Sequence, residues 1–330
     1  MLTELTLRNN PSLIEAFTGI PADVFWAKVA EMAAKLPEYE DARHSREGRQ
    51  RAIGAGRKFA HPLAQRVVAI SSYLRLHVPQ AVIGLMFEIS QYDISRDLRR
   101  LLPLIQDVLP CPDLWEIEKE EPGSLMPLTF EQLTDAHALV DATEQRVSRP
   151  GKDNETRKQF FSGKKKAFTI KTQLVTDGEH HIVAITTAVP GAVHDKKLSD
   201  KACTLERLPD GCEVEADKGY QGMAEQVSLV TVVNPETGKV QEVPRITVRI
   251  PFKKPKGKDL TKEERAFNHQ VGAFRVRVEH CIGWAKNWAI LANRFRCDHS
   301  IYTSVMRTIC GLVNAQTQRW QAARASANCA

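Results

Sequence analysis

The pattern of hydrophobic and polar positions predicts helices throughout the first 110 residues. Residues 21–36 begin with a proline and place apolar side chains at three- and four-residue spacing, which favours an amphipathic helix. The charged, glycine-containing stretch 41–59 is then expected to be a linker. Three short helical patterns follow in close succession, at residues 61–76, 79–89 and 90–105.

A tight turn separates the second and third of these helices, and Ser90 followed by Asp93 resembles a capping box. This layout predicts a helix-turn-helix. An ordinary helical bundle would produce the same pattern, so from this segment alone both interpretations stay open. In a helix-turn-helix, the second helix would direct the following side chains toward a DNA groove or its phosphates: Gln91, Tyr92, Ser95, Arg96 and Arg99.

The pattern changes after an acidic, proline-containing stretch at residues 111–134. Short apolar or alternating runs that end in turn residues are typical of strands. They occupy residues 136–147, 166–176, 181–189, 212–220 and 245–252, with a helical pattern at 195–208 between the third and the fourth. Three strands, a helix, a strand and a late helix predict an α/β domain with a mixed sheet, in the order of a ribonuclease-H-like fold.

The late helix is predicted to begin with a capping box formed by Thr261 and Glu264 and to run to about Phe295. An interruption is expected near Gly272 or Gly283, and a last helix covers residues 301–320. These elements predict four segments along the chain. They are a helical region with a linker at 1–56, a helix-turn-helix region at 57–110, a linker at 111–134 and a catalytic domain at 135–330.

Composition adds a hint about partners. The formal net charge of +6 is modest for 330 residues, but the basic residues cluster. Each cluster by itself is typical of a solvated loop, whereas two clusters together favour a polyanion, because phosphate contacts release counterions. One comprises Arg157, Lys158, Lys164, Lys165, Lys166 and Lys171; the other comprises Arg245, Arg249, Lys253, Lys254, Lys256 and Lys258.

The seven cysteines form no CxxC pair and no regular spacing, which argues against a disulfide framework and a structural zinc site. Reduced thiols are expected. The sequence shows neither a secretory leader nor a run of about 18 apolar residues. We therefore expect a soluble, intracellular protein.

Three acids stand out by position. Asp141 and Asp217 each follow an apolar run, at or near the ends of predicted strands, and Glu279 lies beside the apolar stripe of the late helix. Separately, the aspartates could be turn formers, and Glu279 could be half of an exposed ion pair with Arg275. Together, three carboxylates in one cleft would need cations to neutralise them. Oxygen ligands favour Mg²⁺ or Mn²⁺, and two such ions suit in-line displacement at phosphorus.

These acids lie in motifs that resemble the DDE-type insertion-sequence transposases, in superfamily five of the bacterial insertion sequences, which is related to Harbinger elements. The motifs are "VDAT" at 140–143, "HD" at 194–195, "ADKGYQG" at 216–222 and the spacing Arg275-x3-Glu279-x6-Lys286. The tyrosine that precedes this arginine in the family is replaced by Gly272, with Phe274 nearby. The resemblance extends from about His61 to Trp320.

The resemblance implies a metal-binding triad of Asp141, Asp217 and Glu279 that holds two Mg²⁺ or Mn²⁺ ions. It also implies that Arg275 and Lys286 contact DNA and that Tyr220 belongs to the loop after the second aspartate. Glu213 and Glu215 share strand parity with Asp217 and are competing assignments. Asp195 is expected to cap a helix, and His194 is a candidate for a supporting role near the site. The basic side chains expected to add DNA contacts are Lys164, Lys165, Lys166, Lys253 and Lys254.

The implied activity is cleavage of phosphodiester bonds at the terminal inverted repeats of an insertion sequence, followed by transfer of the 3′ hydroxyl ends to target DNA. Double-stranded DNA is the expected partner, with no membrane, and two chains are expected to act together as a homodimer. Such a protein would be cytoplasmic and nucleoid-associated in a prokaryote. A catalytically silent DNA-binding regulator and a repair nuclease of the same fold are the alternatives.

Overall fold

The computed structural model describes residues 1–45, 59–117, 125, 127–133, 136–151, 153–233 and 239–328. The described chain forms two compact units. One is helical and comprises residues 1–111, 285–293 and 297–330; the other contains the main sheet and comprises residues 112–284 and 294–296. The last helix therefore belongs to the helical unit, although the predicted catalytic segment includes it. The functional boundaries of the four segments stay predictions.

The helices of the helical unit form where the hydrophobic pattern places them. The first segment's helix is longer than predicted and continues through Pro37, while the remainder of the predicted linker, residues 46–58, lies outside the described residues. The helices are α1 (Glu4–Asn9), α2 (Pro11–Thr18), α3 (Ala22–His44), α4 (Leu63–Leu76), α5 (Gln80–Phe87) and α6 (Gln91–Gln106). From the C-terminal part of the chain, this unit also contains α11 (Ala289–Ala292) and α12 (Tyr302–Asn328).

The turn between α5 and α6 closes as tightly as the sequence predicts. Ser90 caps α6: its Oγ accepts a hydrogen bond from the amide of Asp93 at 3.1 Å and donates one to the Asp93 carboxylate at 2.8 Å. Gly84 is required in α5, because a Cβ there would lie 2.4 Å from the carbonyl oxygen of Ile89. The predicted helices are confirmed, and their function as a helix-turn-helix stays a prediction.

A buried ion pair joins α4 to α6. Arg66 donates Nε to Asp97 Oδ2 at 2.6 Å and Nη2 to Asp97 Oδ1 at 2.5 Å, and both side chains are buried. The ring of Phe59 packs against the guanidinium of Arg66, 3.8 Å from the ring centroid. The pair therefore links the middle of α6 to the start of α4.

The sheet unit confirms a mixed α/β architecture. Its strands are β1 (Asp113–Trp115), β2 (His137–Arg146), β3 (Phe161–Ser162), β4 (Ala167–Thr176), β5 (Ile182–Thr186), β6 (Val189–Pro190), β7 (Glu213–Ala216), β8 (Leu229–Val233), β9 (Val240–Pro244) and β10 (Thr247–Arg249). Its helices are α7 (Asn154–Phe160), α8 (Asp195–Lys201), α9 (Thr204–Arg207) and α10 (Lys262–Lys286), of which α10 extends two residues into the other unit. The sequence pattern missed β1, β3, α7 and the β8–β9 hairpin.

The main sheet has the order β1-β5-β4-β2-β7-β10 among the described strands, with β3 and β6 paired to β4. Strand β2 pairs antiparallel with β4 and parallel with β7. Its central position explains why "HALV" is almost wholly apolar, since both faces are covered. The core around it includes Trp115, Val140, Val175, Val214 and Met223.

The helix α10 begins as predicted and does not break. Thr261 and Glu264 exchange reciprocal hydrogen bonds, with the Thr261 amide donating to the Glu264 carboxylate at 2.8 Å and the Glu264 amide donating to Thr261 Oγ1 at 3.1 Å. The expected interruption near Gly272 or Gly283 is wrong, because α10 is continuous across both glycines. The helix ends at Lys286, earlier than predicted, and residues 289–292 form the separate helix α11.

Two further expectations concern the cysteines and membrane-spanning segments. None of the described cysteines forms a disulfide, and Cys329 lies outside the described residues. None of the described helices combines the length and the apolar character that crossing a membrane requires.

We predict that Asp97→Ala lowers the free energy of unfolding by about 3 to 5 kcal/mol, because it leaves the Arg66 guanidinium buried without its carboxylate. Urea unfolding followed by circular dichroism measures the change. Glu15→Ala is the matched control, since it breaks an exposed pair with Arg319 at 3.0 Å and should cost less than about 1 kcal/mol. Equal losses for the two variants would contradict this assignment of the Arg66–Asp97 pair.

Candidate active site

Asp141 lies in the interior of β2, which corrects the prediction that it lies at or near a strand end. The strand continues to Arg146 because it pairs with β4 over residues 139–146. Its parallel pairing with β7, however, stops at Val140, which faces Ala216. Asp141 is therefore the first residue of β2 beyond that ladder.

Asp217 occupies the equivalent position on the neighbouring strand. It follows Ala216, the last residue of β7, and precedes a single 3₁₀ turn at Lys218–Tyr220. Since Val140 and Ala216 are paired, Asp141 and Asp217 leave the same end of the β2–β7 ladder side by side. The register between two strands thus brings together two acids that are 76 positions apart in the chain.

Arg275 and Glu279 lie one turn apart on α10. Val271, Val278 and Ala285 are buried, as the predicted apolar stripe requires. Arg275 falls between the first two of these on the same stripe and is only 8% exposed, which the sequence analysis did not expect. The Glu279 side chain lies at the edge of the stripe and is 57% exposed.

All three predicted acids converge on the Arg275 guanidinium. Its Nη2 lies 3.4 Å from Asp141 Oδ2 and 3.8 Å from Glu279 Oε1, and its Nη1 lies 3.5 Å from Asp217 Oδ1. Asp141 and Glu279 therefore share a single nitrogen atom. Opposite charge at this distance offsets the repulsion among three carboxylates that meet in one place.

Burial dominates the electrostatics of Asp141. Desolvation raises the pKa of its carboxyl group from the ordinary 3.8 to about 6, and the nearby Asp217 and Asp195 also raise it. The Arg275 guanidinium and the Ala142 amide, which donates to Asp141 Oδ1 at 2.7 Å, lower this pKa. Asp141 is thus a carboxylate whose ionisation depends on a neighbouring cation.

The donor chemistry of the three acids fits a divalent metal ion. Carboxylate oxygens are the ligands that Mg²⁺ and Mn²⁺ prefer, and a positively charged group already lies at the centre of the cluster. Arg275 was predicted to grip phosphates, whereas the structure places its guanidinium among the acids. A direct contact between Arg275 and DNA stays a prediction.

The competing acids Glu213 and Glu215 do not reach Arg275 in any contact of the described structure. Instead Arg249 Nη1 lies 3.7 Å from Glu213 Oε2 and 3.5 Å from Glu215 Oε1. Burial raises the pKa of the Glu215 carboxyl group above its ordinary value. The contact between Asp217 and Arg275 supports Asp217 as the second acid of the site.

Asp195 does not cap α8, so the predicted cap is wrong. The capping position belongs to His194, which is exposed and makes no capping hydrogen bond through its side chain. Asp195 is the first residue of the helix, and its Oδ1 accepts a hydrogen bond from Lys171 Nζ at 2.7 Å. Lys171 is buried and also donates to the carbonyl oxygen of Val193 at 2.6 Å.

Lys171 therefore lies near the site, whereas it was predicted to belong to a basic cluster in a solvated loop. Arg245 and Arg249 also have internal partners: Arg245 Nη1 donates to the carbonyl oxygen of Leu208 at 2.6 Å. A strand position for Lys171, within a run whose neighbours are buried, was the available signal. Lys164, Lys165, Lys166, Lys253 and Lys254 are exposed, as predicted, although Lys254 Nζ lies 2.6 Å from Asp259 Oδ1.

The loop after Asp217 is packed against β4 and α8. Tyr220 is fully buried, its hydroxyl lies 3.5 Å from Gln173 Oε1, and burial raises the pKa of that hydroxyl. A Cβ at Gly219 would lie 2.9 Å from Asp195 Oδ2, so only glycine fits without a shift. These contacts position the Asp217 backbone.

The remaining predicted DNA-contacting residues lie on α6 and at the end of α10. Tyr92, Ser95, Arg96 and Arg99 share the exposed face of α6. The Arg96 guanidinium lies over the Tyr92 ring at 5.1 Å, and Arg99 Nη2 lies 3.3 Å from Asp298 Oδ2. Lys286 is the last residue of α10.

A mixed sheet with acids from two adjacent strands and one helix is consistent with a ribonuclease-H-like nuclease domain. The comparisons identify the family. A family model described as DDE superfamily endonuclease matches residues 140–314, more than half of the chain, and the chain belongs to this family.

One curated relative, described as a probable transposase for insertion sequence element IS702 from Microchaete diplosiphon, is 28% identical over 259 residues. The match covers 78% of this chain and 82% of the relative. No solved structure matches the chain. The resemblance to DDE-type insertion-sequence transposases is confirmed, and with it a nuclease type of activity.

We predict that the Asp141 carboxyl group titrates near pH 6 in metal-free protein and that Arg275→Gln raises its pKa further, because the variant removes the cation that opposes burial. Carbon-detected NMR of aspartate carboxyl groups in EDTA measures both. An unchanged pKa in Arg275→Gln would show that the guanidinium does not stabilise the carboxylate.

The raised pKa of Asp141 also predicts how the free energy of unfolding depends on pH. Folding raises the pKa of Asp141, so its favourable contribution is present below about pH 4 and is lost as pH rises through about 6. Over that range the wild-type free energy of unfolding should fall relative to that of Asp141→Asn, measured by urea unfolding without metal. Parallel curves for the two proteins would exclude this contribution.

Proposed function

We propose that this protein is a DDE transposase that cleaves phosphodiester bonds at the ends of its insertion sequence and transfers the 3′ hydroxyl ends to target DNA. The observation that carries the proposal is the convergence of Asp141, Asp217 and Glu279 on one guanidinium. Membership of the DDE endonuclease family supports it. So does the similarity to the probable IS702 transposase.

In this proposal the three acids hold two Mg²⁺ or Mn²⁺ ions. Such ions, when bound, increase the nucleophilicity of the attacking oxygen and stabilise the leaving one. Asp141 and Asp217 supply ligands from rigid strand positions, whereas the exposed Glu279 reaches the site from its solvent side. Arg275 neutralises the acids before the ions bind and thereby keeps them gathered.

Other residues near the three acids are proposed to position them or to act near the DNA. Lys171, which is buried, pairs with the half-buried Asp195 next to the loop that follows Asp217, and the Tyr220 side chain of that loop is buried. These residues are proposed to orient Asp217 rather than to transfer protons. His194 and Lys286 are proposed to act near the reacting DNA, His194 because of its exposed place beside Asp195 and Lys286 by family resemblance.

DNA binding is proposed to involve the segment 57–110. The exposed face of α6 offers Tyr92, Ser95, Arg96 and Arg99 to the terminal repeats. Exposed lysines at 164–166 and at 253–254 would add phosphate contacts that carry no sequence preference. Because two element ends must be joined to one target, a homodimer on DNA is proposed.

The cleavage test uses end-labelled DNA that carries the element's own terminal repeats, in Mg²⁺ or Mn²⁺. We expect the wild type to nick at the repeat boundary. We expect Asp141→Asn, Asp217→Asn and Glu279→Gln each to lower the rate by at least about 100-fold, because loss of a metal ligand removes several kcal/mol of charge stabilisation. Glu263→Gln, an exposed glutamate at the start of the same helix, is the matched control and should cleave normally.

Retained repeat binding by the three variants would separate catalysis from recognition. Tight, specific binding by the wild type without cleavage in either metal would contradict the transposase proposal and favour the silent regulator. Cleavage that shows no preference for the repeat boundary would favour a repair nuclease.

A second test addresses α6. We expect Arg96→Ala combined with Arg99→Ala to weaken repeat binding and to reduce the slope of log K against log salt by about 2, one for each lost phosphate contact. Fluorescence anisotropy at several salt concentrations measures the slope. Arg319→Ala, which removes an exposed arginine on α12, is the control, and an equal effect in both proteins would contradict a specific role for α6.

A further inference from the structure

A second group of metal-ligating side chains lies on β2 and β7, away from the acids that contact Arg275. His137 pairs with Glu213 in the parallel ladder, and Glu215 lies two residues further along β7. Side chains two apart on a strand share a face, so all three project from one side of the sheet. Each offers one ligand atom, and these atoms all lie within 4.8 Å of one another.

Two atoms in this group are buried without a hydrogen-bond partner. Glu215 is 0% exposed, and its Oε2 accepts no hydrogen bond. His137 Nδ1 is likewise buried without a hydrogen bond, and it lies 3.6 Å from that oxygen. Leaving a buried carboxylate oxygen unsatisfied costs free energy. A cation between the two atoms would satisfy both.

The surroundings leave Oε2 of Glu215 available. Arg249 approaches the other oxygen, Oε1, at 3.5 Å, and it also lies 3.7 Å from Glu213 Oε2. The Phe274 ring packs against His137 with centroids 4.7 Å apart, which holds the imidazole in place. The Glu213 side chain is 45% exposed and opens the group to solvent.

We propose that His137, Glu213 and Glu215 bind one divalent transition-metal ion of the Zn²⁺ type. One imidazole nitrogen and two carboxylate oxygens suit such an ion better than Mg²⁺, which prefers oxygen alone. His137 Nδ1 lies 3.6 Å from Glu215 Oε2 and 3.9 Å from Glu213 Oε2. Ligands about 2.0 to 2.2 Å from a zinc ion require only a small closure of these gaps. Water completes the coordination on the exposed side.

The role of this ion follows from the strands that it joins. It links β2 to β7, and these strands present Asp141 and Asp217 at the end of the same ladder. The site is therefore structural: it locks the register on which the position of the two acids depends. It does not depend on the proposed transposase activity.

The competing arrangement is a cluster without metal, in which Arg249 and the His137 imidazole are the partners of the two glutamates. Replacement of Arg249 distinguishes the metal site from the metal-free cluster. If a metal binds, Arg249→Met removes a competing cation and binding is retained or tightened. If Arg249 is the resident cation, the parent protein binds no metal, and Arg249→Met is less stable than its parent in the absence of metal.

The experiment uses the full chain with Asp141→Asn and Asp217→Asn in the background, so that the other acid cluster contributes little. Zn²⁺ is measured by elemental analysis after dialysis, and Co²⁺ is titrated by visible absorption as a probe of the same ligands. We expect one ion per chain. We expect His137→Gln to weaken binding by more than about 100-fold, since even partners outside the coordination sphere contribute about 10- to 100-fold.

His269→Gln, an exposed histidine on α10, is the matched control and should bind like its parent. Circular dichroism verifies that each variant is folded. Unaltered binding in His137→Gln would overturn the proposal. So would the absence of a Co²⁺ spectrum in both the parent and Arg249→Met, and this second comparison holds even if His137→Gln fails to fold.

Discussion

The candidate active site depends on one interaction, the attraction of three carboxylates to the buried guanidinium of Arg275. Burial raises the pKa of the Asp141 carboxyl group, and the neighbouring carboxylates of Asp217 and Asp195 raise it further. A cation at contact distance from all three acids makes their approach tolerable. Arg275 can occupy this position because α10 runs unbroken against the sheet and directs one charged residue along its buried stripe.

The pairing of β2 with β7 organises two chemically different groups on neighbouring strands. At the end of the ladder, Asp141 and Asp217 meet Arg275. Further down, His137 meets Glu213 and Glu215, with Arg249 as the neighbouring cation. Glu215 and Asp217 are two residues apart, so the strand period directs both to the same face of the sheet. They belong to different groups because Glu215 contacts Arg249 and Asp217 contacts Arg275. A shift of one residue in the register would disrupt both.

Buried polar contacts hold the loop that follows β7. Lys171 on β4 pairs with Asp195 at the start of α8, and Asp195 in turn leaves room only for glycine at position 219. Tyr220 lies against Gln173 on the same strand. A buried lysine is costly unless it is paired, so the Lys171–Asp195 pair favours a single arrangement of this loop. Side chains from β4 and α8 thus contact the loop that follows Asp217.

Local chemistry in the sequence determined the helices of the first 110 residues, both capping boxes and the principal strands, because each depends on residues within a turn or on a simple period. The "VDAT" and "ADKGYQG" motifs also indicated a family, and membership of that family is confirmed, while the role of the acids stays a prediction. Only the tertiary structure decided that Asp141 lies within its strand, that α10 continues through Gly272, and that Arg275 and Lys171 face inward. Those features depend on strand register and on packing between elements far apart in the chain, and the period of a single segment contains no information about its partner.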